Sequence, residues 1–171
     1  MEQVRKPKVT EVEGIKTLID DAVKAGSVLP RELHELFENV RDFYVYVTAN
    51  GDIGGCVALH IDTIELAEVR SLVVRADLRG QGVGERLVEA VLREAQNLDI
   101  ARVYALTRVV PFFLKTGFHV VDKNELPYKV FKDCMRCRLF PGCDEVAVVV
   151  DLPHRDELAL SGAAVGEQAQ A

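Results

Sequence analysis

Arg79, Gly80, Gln81, Gly82, Val83 and Gly84 are the residues of this chain whose types and spacing point most directly to a chemistry. They follow a half-charged, half-apolar strand pattern, Glu65 to Val74, and open directly into a helical pattern. Glycines at such a junction let the backbone turn tightly and bring several unpaired N–H groups against one ligand. The helix start behind them adds roughly half a positive charge, so the natural guest is a phosphate or pyrophosphate. Spacing narrows the choice of polyphosphate. A nucleotide P-loop needs a Lys and a Ser or Thr after its last glycine, and Glu85 stands there instead. A dinucleotide fingerprint needs Gly-x-Gly-x-x-Gly, whereas these glycines fall at 80, 82 and 84.

What remains, Arg79-x-x-Gly82-x-Gly84, resembles the Arg/Gln-x-x-Gly-x-Gly/Ala signature of the GNAT acetyltransferases. Downstream, Phe112-Phe113-Leu114-Lys115-Thr116-Gly117-Phe118 is similar to the second hallmark of that family, aromatic-x-Lys-x-Gly-Phe. The resemblance implies that acetyl-coenzyme A is the co-substrate, with its pyrophosphate on the amides of Arg79, Gly80, Gln81, Gly82, Val83 and Gly84. It also assigns Phe112 and Lys115 to the coenzyme side of the site. Backbone N–H groups of Leu72, Val73 and Val74 are expected to polarise the thioester carbonyl, where charge develops during reaction.

Composition is consistent with an enzyme of this kind and excludes others. At 171 residues the chain is expected to form one domain with a core that needs no disulfides. The net charge of −6 argues against nucleic-acid binding, which concentrates positive charge on one face. No apolar run approaches a membrane span. The N-terminal stretch Met1 to Lys8 has no apolar centre, so a cytoplasmic location is expected. Cys56 lies in the apolar run Gly54 to Leu59 and reads as core. Cys134, Cys137 and Cys143 form Cys-x-x-Cys-x5-Cys without a regularly spaced His. Structural zinc, redox-responsive thiols and plain loop packing all stay open there, and no metal is expected to be required.

The elements that must position these residues follow from periodicity. A first strand is expected at Val4 to Val9, then a helix capped by Thr10 with Glu13 reaching back, carrying Ile15, Leu18, Ile19, Ala22 and Val23 to Gly26. Pro30 is expected to start a second helix with Leu33, Leu36, Phe37 and Val40 on one side. Strands Phe43 to Ala49 and Ile53 to Asp62 meet at Asn50-Gly51, and the charged strand is third in that meander. A helix from Gly82 to Leu98 presents Val83, Leu87, Val91 and Ala95. Ala101 to Leu106 is a buried strand, Pro111 to Lys115 a short helix, Phe118 to Asp122 a strand, Tyr128 to Cys137 a helix and Glu145 to Asp151 a closing strand. The order matches a GNAT fold: an α/β domain with a mixed, mostly antiparallel central sheet and helices on both faces. The domain is expected over residues 1–152, with 153–171 a disordered tail.

Four segments also resemble the short, stand-alone N-acetylglutamate synthases of arginine biosynthesis: Leu29-Pro-Arg31, Ala67 to Val74, Leu126 to Phe131, and Asp133 to Glu145. That resemblance implies acetyl transfer to the α-amine of L-glutamate. Arg70 and Glu68 alternate with Val69 and share one face of the strand. A guanidinium clamps a carboxylate in a bidentate way, which lysine cannot do, so Arg70 and Arg31 are the candidate acceptor ligands, with Lys129 as a third candidate. Glu68 is the candidate catalytic base, acting through water, or else the partner that holds Arg70. Many members place a tyrosine two residues before the motif lysine. Phe113 stands there, which leaves Tyr104, Tyr128 or solvent as the acid. Another amine as acceptor, or a non-catalytic coenzyme A-binding module, remain alternatives at this level. Homodimer formation and arginine feedback are left open by the sequence.

Overall fold

The computed structural model describes residues 2–126 and 142–153. Its elements run β1 (Gln3–Arg5), α1 (Val12–Lys24), α2 (Leu33–Glu38), β2 (Phe43–Val47), β3 (Ile53–Ile61), β4 (Leu66–Val74) and α3 (Val83–Asn97). They continue with β5 (Arg102–Thr107), α4 (Val110–Lys115), β6 (His119–Val121) and β7 (Val146–Asp151). The strands form one seven-stranded, mostly antiparallel sheet ordered β1-β2-β3-β4-β5-β7-β6. By contact the chain divides into two compact units. The first holds residues 1–60 and 68–93, and the second holds 61–67 and those from 94 onward.

In the first unit α1 is amphipathic, burying Val12, Ile15, Leu18, Ile19 and Ala22. These side chains share a core with Phe43, Val45 and Val47 of β2, Cys56 and Ala58 of β3, and Val73 of β4. Each large aliphatic side chain so removed from water contributes about 1.5–3 kcal/mol. The start of α1 differs from expectation. A 3-10 turn occupies Val9–Glu11, and the Glu11 carboxylate accepts from the Lys8 N–H at 2.7 Å, two residues earlier than the Thr10–Glu13 box. The Glu11 carboxylate is held there by Arg5, whose guanidinium makes two bonds of 2.8 and 2.7 Å to it. That fork ends β1 at Arg5 instead of Val9. At its other end α1 stops at Gly26, with Ser27 N–H bonding Ala22 C=O and Gly26 N–H bonding Val23 C=O, both at 2.9 Å.

The second helix starts at Leu33, later than Pro30, because Glu35 reaches back to the Glu32 N–H at 3.0 Å and fixes the first turn there. Of its expected apolar side only Leu36 is buried, while Leu33 and Phe37 are exposed. The β2–β3 hairpin pairs Val45 with Cys56 and closes at Val47 with Ile53. Its loop is longer than an Asn-Gly turn. Thr48 C=O accepts from Gly51 N–H, and Asp52 C=O accepts from Thr48 N–H.

In the second unit β7 lies between β5 and β6, pairing Tyr104 with Val149 and Val120 with Val148. Leu66, Tyr104, Leu126, Ala147 and Val149 form its core. Along α3, Val83, Leu87, Val91 and Ala95 are buried, as the fourfold spacing predicts, and Val88 is buried as well. No described helix is long and apolar enough to cross a membrane. The helix expected at Tyr128 to Cys137 and the tail beyond Pro153 lie outside the described residues.

Candidate functional site

Along β4, Leu66, Ala67, Val69 and Val73 are buried, and by alternation Glu68 and Arg70 project together from the face opposite Ala67 and Val69. The structure joins them directly: Arg70 Nε is ion-paired with Glu68 Oε2, and the two side chains are 17% and 13% exposed. A pair this sheltered keeps both groups oriented better than a fully solvated one, whose contribution is commonly under about 1 kcal/mol. Immediately after Arg70 the strand leaves regular geometry. Ser71 has φ +51°, in the left-handed region that β-carbon-bearing residues rarely enter.

The loop that follows is fastened by its own polar side chains. Arg79 Nε donates to Val74 C=O at 3.0 Å, and Gln81 Nε2 donates to Asp77 C=O at 2.8 Å. Arg75 holds Asp77 at 2.7 Å, and that bond keeps the Asp77 carboxyl below its ordinary range. Gly80 and Gly82 both take positive φ, +73° and +75°. Arg86 N–H then donates to Gly82 C=O at 3.1 Å, which makes Gly82 the cap of α3. The N–H groups of Gly82, Val83, Gly84 and Glu85 are therefore the four that a helix start leaves without intrahelical acceptors. A Cβ built on Gly80 or Gly82 would meet no atom of the protein within 4 Å. Glycine is thus needed there for backbone conformation, and the space before the amides is open. A row of donors, open space and the positive end of a 15-residue helix suit a pyrophosphate.

The second motif belongs to the other unit. Pro111 stands in the first turn of α4, and Phe113 and Phe118 are buried, meeting edge to face with ring centres 5.1 Å apart. Phe112 contacts Phe113 similarly at 5.2 Å and is half-buried, and Lys115 is exposed in the last turn. Phe113, at the position of the family tyrosine, thus supplies packing and no hydroxyl. Tyr104 is fully buried and donates to Asp62 Oδ2 at 2.9 Å, which commits its proton to that carboxylate and speaks against its use as the acid.

Arg31 is half-buried two residues before α2. Tyr128, Lys129, Cys134 and Cys137 lie outside the described residues. Cys143 is a free thiol 3.8 Å from Glu145 Oε2. Among the described residues no group of three or more His, Cys, Asp or Glu is placed to hold a metal ion. Sequence reasoning did not find the turn at Ser71, and serine in a strand pattern gives no signal for it.

A profile of the acetyltransferase (GNAT) family matches residues 15–118. An uncharacterised N-acetyltransferase of Chlorobaculum tepidum is 32% identical over 149 residues, covering 87% of this chain and 96% of the relative. An amino-acid acetyltransferase of Mycobacterium tuberculosis is 32% identical over 136 residues, covering 78% of this chain and 77% of the relative. Among solved structures, N-acetylglutamate synthase from Neisseria gonorrhoeae complexed with coenzyme A and N-acetyl-glutamate superposes with TM-score 0.81 at 24% identity. That match covers 90% of this chain but 36% of the larger protein, and it establishes the fold. With the signature loop, the matched profile and the shared fold in agreement, the chain belongs to the GNAT acetyltransferase family and takes acetyl-coenzyme A as its donor.

Proposed function

We propose that this acetyltransferase acylates the α-amine of L-glutamate, the first committed step of arginine synthesis. The observation that carries this reading is the Arg70–Glu68 pair, sheltered on the strand that runs into the anion cradle. An amino dicarboxylate needs a planar cation for a carboxylate, and an acidic group near its amine. The pair supplies both on one strand face. The relative named amino-acid acetyltransferase, and the glutamate product carried by the Neisseria structure, point to the same acceptor class.

In this reading the cradle from Gly80 to Gly84 holds the coenzyme by its pyrophosphate, and the coenzyme supplies an activated acetyl thioester. Arg70, helped by Arg31 and Lys129, orients the acceptor through its carboxylates. Glu68 takes a proton from the ammonium through water, so that the amine lone pair can reach the carbonyl carbon. The C–N bond forms, the C–S bond breaks, and the electron pair leaves with sulfur. Phe113 has no proton to give, so the thiolate takes its proton from Tyr128 or from solvent. Backbone N–H groups at Leu72 and Val74 stabilise the developing oxyanion, whereas the Val73 N–H, expected to join them, is hydrogen-bonded to the Cys56 thiol. Residues 1–152 form the catalytic domain, working in the cytoplasm.

The deciding experiment follows coenzyme A release with glutamate, glutamine and aspartate as acceptors. Glutamate should give the highest kcat/KM. A higher value with glutamine or aspartate would move the acceptor assignment. Acetyl-coenzyme A binding without turnover on any of the three would remove it.

A further inference from the structure

The turn at Ser71 has a partner on the neighbouring strand. Cys56 of β3 is fully buried, and its Sγ lies 3.5 Å from the Ser71 carbonyl oxygen. The Val73 N–H donates to the same sulfur. One side chain thus meets both polar groups that flank Leu72, groups a regular ladder would have paired with backbone. The two residues before Cys56 allow this closeness. A Cβ on Gly55 would stand 3.1 Å from the Val73 carbonyl oxygen and 2.9 Å from Leu87 Cδ1. Beyond the turn the ladder resumes, with Arg75 N–H donating to Gly54 C=O at 2.9 Å. Cys56 thus lies across the stretch between Ser71 and that bond.

We infer that Cys56 is a positioning residue: its thiol bridges Ser71 C=O and Val73 N–H, and so holds the left-handed turn that aims the backbone of Leu72 to Val74. Three properties suit it to this use. As a thiol it both donates and accepts, which neither alanine nor valine can do. Sulfur is large and its hydrogen bonds are long, so it spans a gap that a hydroxyl, with its shorter reach, spans less well. Burial pushes its pKa up to about 12, so it stays protonated as the donor that Ser71 needs and stays inert towards a thioester. Without the bridge, Ser71 has an intrinsic preference to leave the left-handed region, two backbone groups lose a partner, and β4 relaxes towards a regular strand.

The inference rests on the assignment of the Leu72 and Val74 N–H groups to the thioester, and the amide-exchange and calorimetry arms of its test do not depend on glutamate. In full-length protein without acceptor, Cys56→Ala should speed amide exchange at Val73 by at least about tenfold more than at Val45 and Val57. Acetyl-coenzyme A affinity by calorimetry should change by less than about threefold, since the Gly80 to Gly84 cradle is untouched. With acetyl-coenzyme A and glutamate, kcat should fall about tenfold or more while the Michaelis constant for the coenzyme holds. Cys56→Ser should recover part of that loss. The decisive variant adds Ser71→Gly to Cys56→Ala. Glycine takes positive φ at little cost, so it should restore much of kcat without restoring the thiol. Uniform loosening of all three amides, or a double variant no better than Cys56→Ala, would overturn the positioning role. A kcat unchanged beside a lower melting point would do the same.

Discussion

Substitution of Gly82 by valine separates folding from binding unusually well. The side chain would project into space where no protein atom lies within 4 Å, so the folded chain meets no clash. What it does meet is the φ of +75°, which costs a β-carbon-bearing residue roughly 1–2 kcal/mol, somewhat more when branched. For a domain of this size that corresponds to a melting point lower by about 3–8 °C. Binding should suffer much more. The new side chain stands where a pyrophosphate must approach the N–H groups of Gly82, Val83 and Gly84. Losing one or two charge-assisted bonds of about 1.5–3 kcal/mol each removes about 3 kcal/mol, or roughly 150-fold in affinity. Titration calorimetry with acetyl-coenzyme A, beside thermal melts of both proteins, reads the two effects separately. Full affinity in a folded Gly82→Val protein would refute the cradle.

Arg70→Lys keeps the charge but loses the fork. If Arg70 clamps the acceptor, the Michaelis constant for glutamate should rise roughly 30- to 1000-fold, with that for acetyl-coenzyme A nearly constant. A small fall in melting point with unchanged glutamate kinetics would confine Arg70 to its pair with Glu68. Away from the site, the Arg5 guanidinium holds the Glu11 carboxyl at about 2, against 4.5 for a free one. A folded pKa below the unfolded one gives stability that is present above pH 4.5 and lost as pH falls towards 2. Partial solvent screening at this boundary site brings that stability to roughly 1–2 kcal/mol. Glu11→Gln should therefore melt lower at pH 7, and the gap to the unaltered protein should close in acid. A gap independent of pH would assign the loss to packing.

The helix behind the cradle was legible because its evidence is local. Val83, Leu87, Val91 and Ala95 keep one face apolar through four turns, and all four are buried. The glycines at 80 and 82 were legible for the same reason, since a positive φ selects for them within a few residues. The strand bearing Glu68 and Arg70 could be read from alternation alone. Ser71 could not, because its conformation is imposed from β3, fifteen residues back in the chain at Cys56. Leu33 and Phe37 misled in the opposite direction. Their helical spacing is genuine, yet a six-residue helix turns only Leu36 into the core. The Thr10–Glu13 box failed because Arg5 captures Glu11 first, a pairing that a local start signal cannot weigh.

The place of β7 between β5 and β6 has a consequence for how the chain acquires its structure during synthesis. Arg102 and Asp151, joined at 2.6 Å, are 49 residues apart. When β5 and β6 have left the ribosome, the strand that will lie between them does not yet exist. Each then exposes an edge that another chain could occupy. The first unit is built from residues up to 93, so its internal contacts can form earlier. Chains released before Val146 should therefore carry a folded amino-terminal half and an adhesive remainder, and early termination should cause aggregation sooner than simple loss of activity.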